Sequence, residues 1–170
     1  MASLMEELLE VMAEEEAQYE ALIELGGQKK DAVIAADITT LGEITTKEQA
    51  AASALLNMSN KRTGILNDMA TVLGKDPAEM TITKMIGYLE NQPKEQAKLT
   101  ERRDKLLAVG TQMRMLNQQN EMLLKQALEM VEFDITLLRS ARQAPETANY
   151  DKNAYNTGDL LGGSGFDAKQ

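Results

Sequence analysis

Between Pro93 and Pro145 no proline interrupts the chain, and apolar residues recur there every seven positions. One series is Val109, Leu116, Leu123, Met130 and Leu137. Its partner is Leu99, Leu106, Met113 and Ala127, with Asn120 in the place before last. A sustained seven-residue repeat is the seam of a helix that packs along a neighbour. Read as one helix, residues 94–142 span roughly 70 Å at 1.5 Å per residue. A compact domain of 170 residues has no use for that length, so the repeat predicts an elongated molecule.

The rest of the chain reads as helix too. Ala, Leu, Glu, Gln, Lys and Met are plentiful, and all favour helix. Pro occurs only at positions 77, 93 and 145. A first helix is expected over 3–36, N-capped by Ser3 with Glu6 completing a capping box. Its apolar stripe is Leu8, Met12, Tyr19, Leu22 and Val33, and Gly26-Gly27 mark a kink or frayed turn. A second helix is expected over 40–73. Thr40 and Glu43 form its capping box, and Gly74 stops it as a left-handed C′ residue. Its seam reads Leu41, Ile44, Glu48, Ala51, Leu55, Met58, Arg62, Ile65, Met69, Val72. Thr81 caps a short helix over 82–90. Pro93 suits the first turn of the last helix, 94–142, which Pro145 ends. The fold class is therefore all-α. It is an elongated antiparallel bundle or coiled coil of three long helices plus one short one over residues 1–144. A flexible Gly-rich tail follows over 145–170.

Polar residues inside the seams carry the most information. If the first two helices form a hairpin, residues whose numbers total 77 or 78 lie level. Glu15 then meets Arg62, and Lys30 meets Glu48. Two such ion pairs would hold the register more than they add stability. Asn120 is the kind of single polar core residue that specifies register or partner number. The eight Glu of residues 1–24, with no basic side chain among them, read as a solvated helix face. Most of the eleven Met read as core.

Several function classes fall away. The chain has no Cys and no His, which removes thiolate sites, the usual zinc ligand and the usual general base. No phosphate loop follows a strand, and no catalytic set or cofactor motif is present. With 18 basic against 27 acidic residues, net charge −9, nucleic acid is a poor partner. The longest apolar run, Ala32 to Ala36, is far short of a membrane span. A non-enzymatic cytoplasmic protein without metal or cofactor is the expectation.

The order of features is itself informative. Glu14-Glu15-Glu16 precede Tyr19 and Leu22-Ile23-Glu24-Leu25, then Lys29-Lys30, Asp37, Leu41 and Ile44-Thr45-Thr46-Lys47-Glu48-Gln49. Arg62, Gly74 and Thr81-Ile82 follow. Leu116-Asn117-Gln118-Gln119-Asn120 then stand before Leu123-Leu124, and the tail holds Tyr155 to Gly158 and Phe166-Asp167-Ala168-Lys169. Over nearly its whole length the chain resembles the FlgN-type flagellar export chaperones. The resemblance implies a cytoplasmic chaperone of flagellar type III export. Such a protein holds terminal helical segments of the hook-associated junction proteins FlgK and FlgL, prevents their early assembly and delivers them to the export gate.

An amphipathic client segment can lie against a long helix through anchors every three or four residues. The client groove implied is Leu123, Leu124, Leu128, Val131, Ile135 and Leu138. Tyr150, Tyr155 and Phe166 are the tail anchors, able to cover that groove or to meet the gate. The alternative is a structural coiled coil that self-associates without a client, and the heptads alone suit it equally. Another secretion chaperone with a different client is a third reading. Whether the protein is a homo-oligomer stays open at this stage.

Overall fold

The computed structural model describes the backbone of residues 1–147 and the side-chain surroundings of residues 1–142. Among the described residues there are four helices: α1 (Ala2–Ile34), α2 (Ile38–Val72), α3 (Ile82–Tyr88) and α4 (Pro93–Thr147). A single 3-10 turn, Pro77–Glu79, lies between α2 and α3. No strand occurs among the described residues. The chain divides into two compact units, Met1–Lys125 and Gln126–Gln170. Tyr150, Tyr155 and Phe166 lie outside the described residues.

The hairpin between α1 and α2 is built by backbone hydrogen bonds. Ala36 N–H donates to Val33 O and Asp37 N–H to Ala32 O, the doubly bonded helix ending of a Schellman motif. That ending needs a left-handed residue, and Ala36 takes the position with φ 53°. Asp37 then caps α2, accepting from the backbone N–H of Thr40 at 3.1 Å and from its hydroxyl at 2.6 Å. These hydrogen bonds hold the Asp37 carboxyl below the usual carboxylate range. The expected cap at Thr40 is thus displaced to Asp37, because a carboxylate three residues upstream can accept both Thr40 donors at once. The same geometry recurs at Gly74, where φ is 65° and Lys75 N–H reaches Ala70 O.

At the start of α1, Ser3 does not cap. The helix begins at Ala2 with no side-chain cap, and the Ser3 hydroxyl donates to Glu7 instead. Helix α1 is also unbroken through Gly26-Gly27. Gly26 is there for close approach: a Cβ on it would stand 2.6 Å from Leu116 Cδ2 of α4, whereas Gly27 faces open space. The expected fraying does not occur because packing against α4 outweighs the roughly 1 kcal/mol propensity loss of a glycine. Thr81 does cap α3, accepting from Lys84 N–H at 3.1 Å, and α4 opens on Pro93. Helix α4 continues to Thr147, past Pro145. A proline in a final turn removes only one rung of the ladder, so it need not stop the helix where it stands.

Within Met1–Lys125 the core sits where all four helices converge. Met5, Leu8, Val11 and Met12 of α1 pack with Ile65, Leu66 and Met69 of α2, with Met85 and Leu89 from α3 and its C-cap, and with Leu99 of α4. Residues of the hairpin end, Ala32, Val33, Ile44 and Ala51, are buried separately. Val72, expected in the α2 seam, is exposed, while Ala70 is fully buried. A 3.6-residue helix drifts away from a seven-residue repeat, so the contact stripe has moved by the last turn. Helix α4 runs in the same direction as α1. Its Arg102 bonds Glu16 at 2.7 Å, and further on its Asn120 reaches Gly26. Antiparallel therefore describes α1 with α2, and α2 with α4, but not α1 with α4. Three long helices in alternating order require this.

Two substitutions test this account. Ala36→Gly should raise unfolding stability by about 1 kcal/mol, because it removes the left-handed strain on a Cβ. Gly27→Ala should stabilise by roughly 0.5–1 kcal/mol through helix propensity. Gly26→Ala should lose that gain or reverse it. Urea melts of the three variants read the contrast, and equal behaviour of the two glycine variants would contradict the close-approach role.

Candidate functional site

Two ion pairs set the level of α1 against α2. Arg62 Nη1 donates to Glu15 Oε2 at 2.8 Å, and Lys29 Nζ to Glu48 Oε2 at 3.1 Å. The residue numbers of both pairs total 77, so a single register satisfies them. The expected partner Lys30 is exposed and pairs with nothing among the described residues. Adjacent helix residues point about 100° apart, so only one of Lys29 and Lys30 can face α2, and the total of 77 selects Lys29. Glu15 is 2% exposed. Burial raises its pKa above the usual carboxylate range, and the nearby Arg62 guanidinium opposes that rise.

Asn120 is the second buried polar residue, 2% exposed. Its Nδ2 donates to Gly26 O at 2.8 Å. Its Oδ1 is buried without a hydrogen-bond partner among the described residues. A half-satisfied amide in a core costs stability but accepts only one placement of α4 on α1. The close approach of Leu116 to Gly26 belongs to that same placement.

Above this floor, α2 and α4 stand apart. The hollow between them has a volume of about 700 Å³, with Met12, Leu66, Met80, Leu106 and Met113 among its apolar lining. Arg62, Arg103 and Arg114 line it too. A second hollow of about 500 Å³ shares Tyr19, Met113, Asn117 and Glu121 with the first, and extends it to Leu55 and Leu124. The sequence did not single out this groove. Its signal was the set of Met residues, which the apolar seams absorbed as core.

The six residues expected to form a client groove fall into two groups. Leu123 and Leu124 belong to the first unit and are half-buried. Leu128, Val131, Ile135 and Leu138 belong to the second unit and are exposed, from 44% to 66%. At about 100° per residue these four share an arc of roughly 80° on α4. Met130, Phe133 and Leu137 are exposed too, and they make a second stripe with the same three-and-four spacing. Phe133 was missed in the sequence because it lies on the neighbouring stripe, about 140° around the helix from Leu128. Together the stripes cover about 220° of the helix, and only Asp134 interrupts them. One apolar stripe of about 100° is normal for a helix with one neighbour. Residues 128–138 of α4 are thus apolar over about twice that arc.

Residues 1–158 match the family described as FlgN protein. The chain belongs to the FlgN family. Its role is accordingly that of a chaperone in flagellum biogenesis. No curated protein and no solved structure matches the chain. Among the described residues no helix is long and apolar enough to cross a membrane, and no group of three or more His, Cys, Asp or Glu side chains is placed to hold a metal ion.

The Glu15–Arg62 pair gives a pH-dependent expectation for this FlgN chain. Arg62→Ala strands a buried carboxylate and should cost about 2–3 kcal/mol at pH 7. The folded-state pKa of Glu15 is raised, so its carboxyl favours the fold below the unfolded value and opposes it as pH rises through the folded value. The Arg62→Ala penalty should therefore shrink between pH 7 and pH 4, as measured by urea unfolding at both. A penalty independent of pH would show that Glu15 is not its source.

Proposed function

We propose that this FlgN family protein is a cytoplasmic export chaperone for hook-filament junction proteins of the FlgK and FlgL type. It binds a terminal helical segment of the client along α4, through Leu123, Leu124, Leu128, Val131, Ile135 and Leu138. The observation that carries the reading is the exposed apolar arc between Leu128 and Leu138. A large exposed apolar surface marks an interaction site, and a helix presents such a surface to an amphipathic partner through anchors at i, i+3, i+4 and i+7. Met130, Phe133 and Leu137 add a second line of contact beside the first. Binding shields client surface that would otherwise drive assembly. No bond is made or broken, so the protein needs no catalytic group or cofactor. Ordering of a flexible client on binding lowers the net affinity, which suits later release. Tyr150, Tyr155 and Phe166 are the anchors assigned to covering this face or meeting the export gate.

The test is light scattering after size exclusion, with the junction proteins of the same organism. A discrete complex with one of them is expected. Leu128→Glu with Ile135→Glu should weaken it at least about hundredfold, some 2.7 kcal/mol, with helix content unchanged by circular dichroism. No complex with either junction protein, or one indifferent to these substitutions, would contradict the assignment.

A further inference from the structure

The first unit carries an unfilled apolar groove, and the second carries an unpartnered apolar helix face. Both bear charges without salt-bridge partners. Among the described residues Arg114 and Glu121, which line the groove, form no ion pair, and neither do Lys125 and Glu132 along the edge of the exposed face. Glu121 and Lys125 stand one turn apart on α4 and are not joined there.

These charges have a level relation like that of the hairpin. When two antiparallel helices pack, residues whose numbers share one total face each other. Arg114 with Glu132 and Glu121 with Lys125 both total 246, and each pair has opposite charge. Asp104 with Arg142 falls on the same total, also with opposite sign. At a total one lower, Leu107 pairs with Leu138, Gly110 stands opposite Ile135, and Asn117 opposite Leu128. Gly110 has open space around it, which leaves room for the Ile135 side chain. Leu138, Ile135 and Leu128 would enter a groove lined by Leu66, Met80 and Met113.

We infer that the groove between α2 and α4 receives a second copy of this chain: the segment Lys125–Arg142, lying antiparallel to residues 104–121. Each copy offers both groove and segment, so the contact is reciprocal and closes as a symmetric dimer. Each copy then covers the face that a client would use, which makes the dimer a resting state. The contact itself does not depend on the client reading, and its test involves no client.

The register is tested by charge exchange. One variant carries Arg114→Glu with Glu121→Lys, the other Lys125→Glu with Glu132→Lys. Each alone sets like charges opposite one another in both halves of the dimer. Their equimolar mixture restores opposite charges in both halves. Sedimentation velocity over an about hundredfold range of concentration should show a dimer of the wild-type chain. Each variant alone should dimerise at least about tenfold more weakly, and the mixture should recover the wild-type affinity. Circular dichroism of each variant checks that the helices are intact, and recovery in the mixture is itself proof that both are folded. A wild-type chain monomeric throughout would overturn the proposal. So would self-association unmoved by the charge changes, or a mixture no tighter than its components. A groove filled by some other segment of the same chain would appear as the monomer outcome.

Discussion

The register between α1 and α2 is the constraint from which the rest follows. A Schellman ending at Ala36 reverses the chain within a few residues, and Asp37 at once caps the returning helix. Once that turn is set, Glu15 and Arg62 stand level, as do Lys29 and Glu48. In this register the buried Glu15 carboxylate has its guanidinium at 2.8 Å, and a slip of one residue would part them. Burying an unpaired charge costs far more than a surface ion pair contributes. The pairs therefore select the register by what its alternatives would cost. Hydrophobic packing at Leu8, Met12, Ile65 and Met69 supplies the stability.

Helix α4 is placed on this hairpin by a small residue facing a polar one. Gly26 lets Leu116 come close, and Asn120 donates to the Gly26 carbonyl. Both contacts lie on the α1 side. Farther round, α4 and α2 are separated, and the groove between them stays open to one side. Three helices sharing one floor leave the space in which a fourth would complete a four-helix arrangement. The groove is thus a direct result of where α4 is pinned.

The exposed half of α4 has a different logic. A long helix can display an apolar surface without collapsing onto it. Its backbone hydrogen bonds are satisfied internally, so apolar side chains can be displayed without buried backbone needing partners. Lys125, Glu132 and Arg139 alternate in sign along one edge of that surface. At an interface, charges of this kind discriminate among partners more than they raise affinity.

Much of this was legible in the sequence. The helical class follows from propensity and from the placing of three prolines. The Glu15–Arg62 pair followed from polar breaks in apolar seams and a hairpin in which residues totalling 77 or 78 lie level. Gly74, Thr81 and Pro93 act locally, where the sequence speaks directly, and they do what their chemistry predicts. Thr40 lost its capping role to the Asp37 carboxylate and Ser3 donates to Glu7 instead of capping, whereas Lys30 failed as a choice between adjacent residues. One residue along a helix is a rotation of about 100°, which only the packed partner resolves. Gly26 looked like a weakness and is a contact, because no local signal distinguishes a glycine that breaks from one that admits a neighbour. By itself the sequence determined the elements and their order. The tertiary structure alone decided which side of α4 meets α1, and so where the groove opens and which apolar residues remain outside. Those outcomes depend on contacts between residues some ninety positions apart, such as Gly26 with Leu116 and Asn120, and close packing rather than propensity determines them.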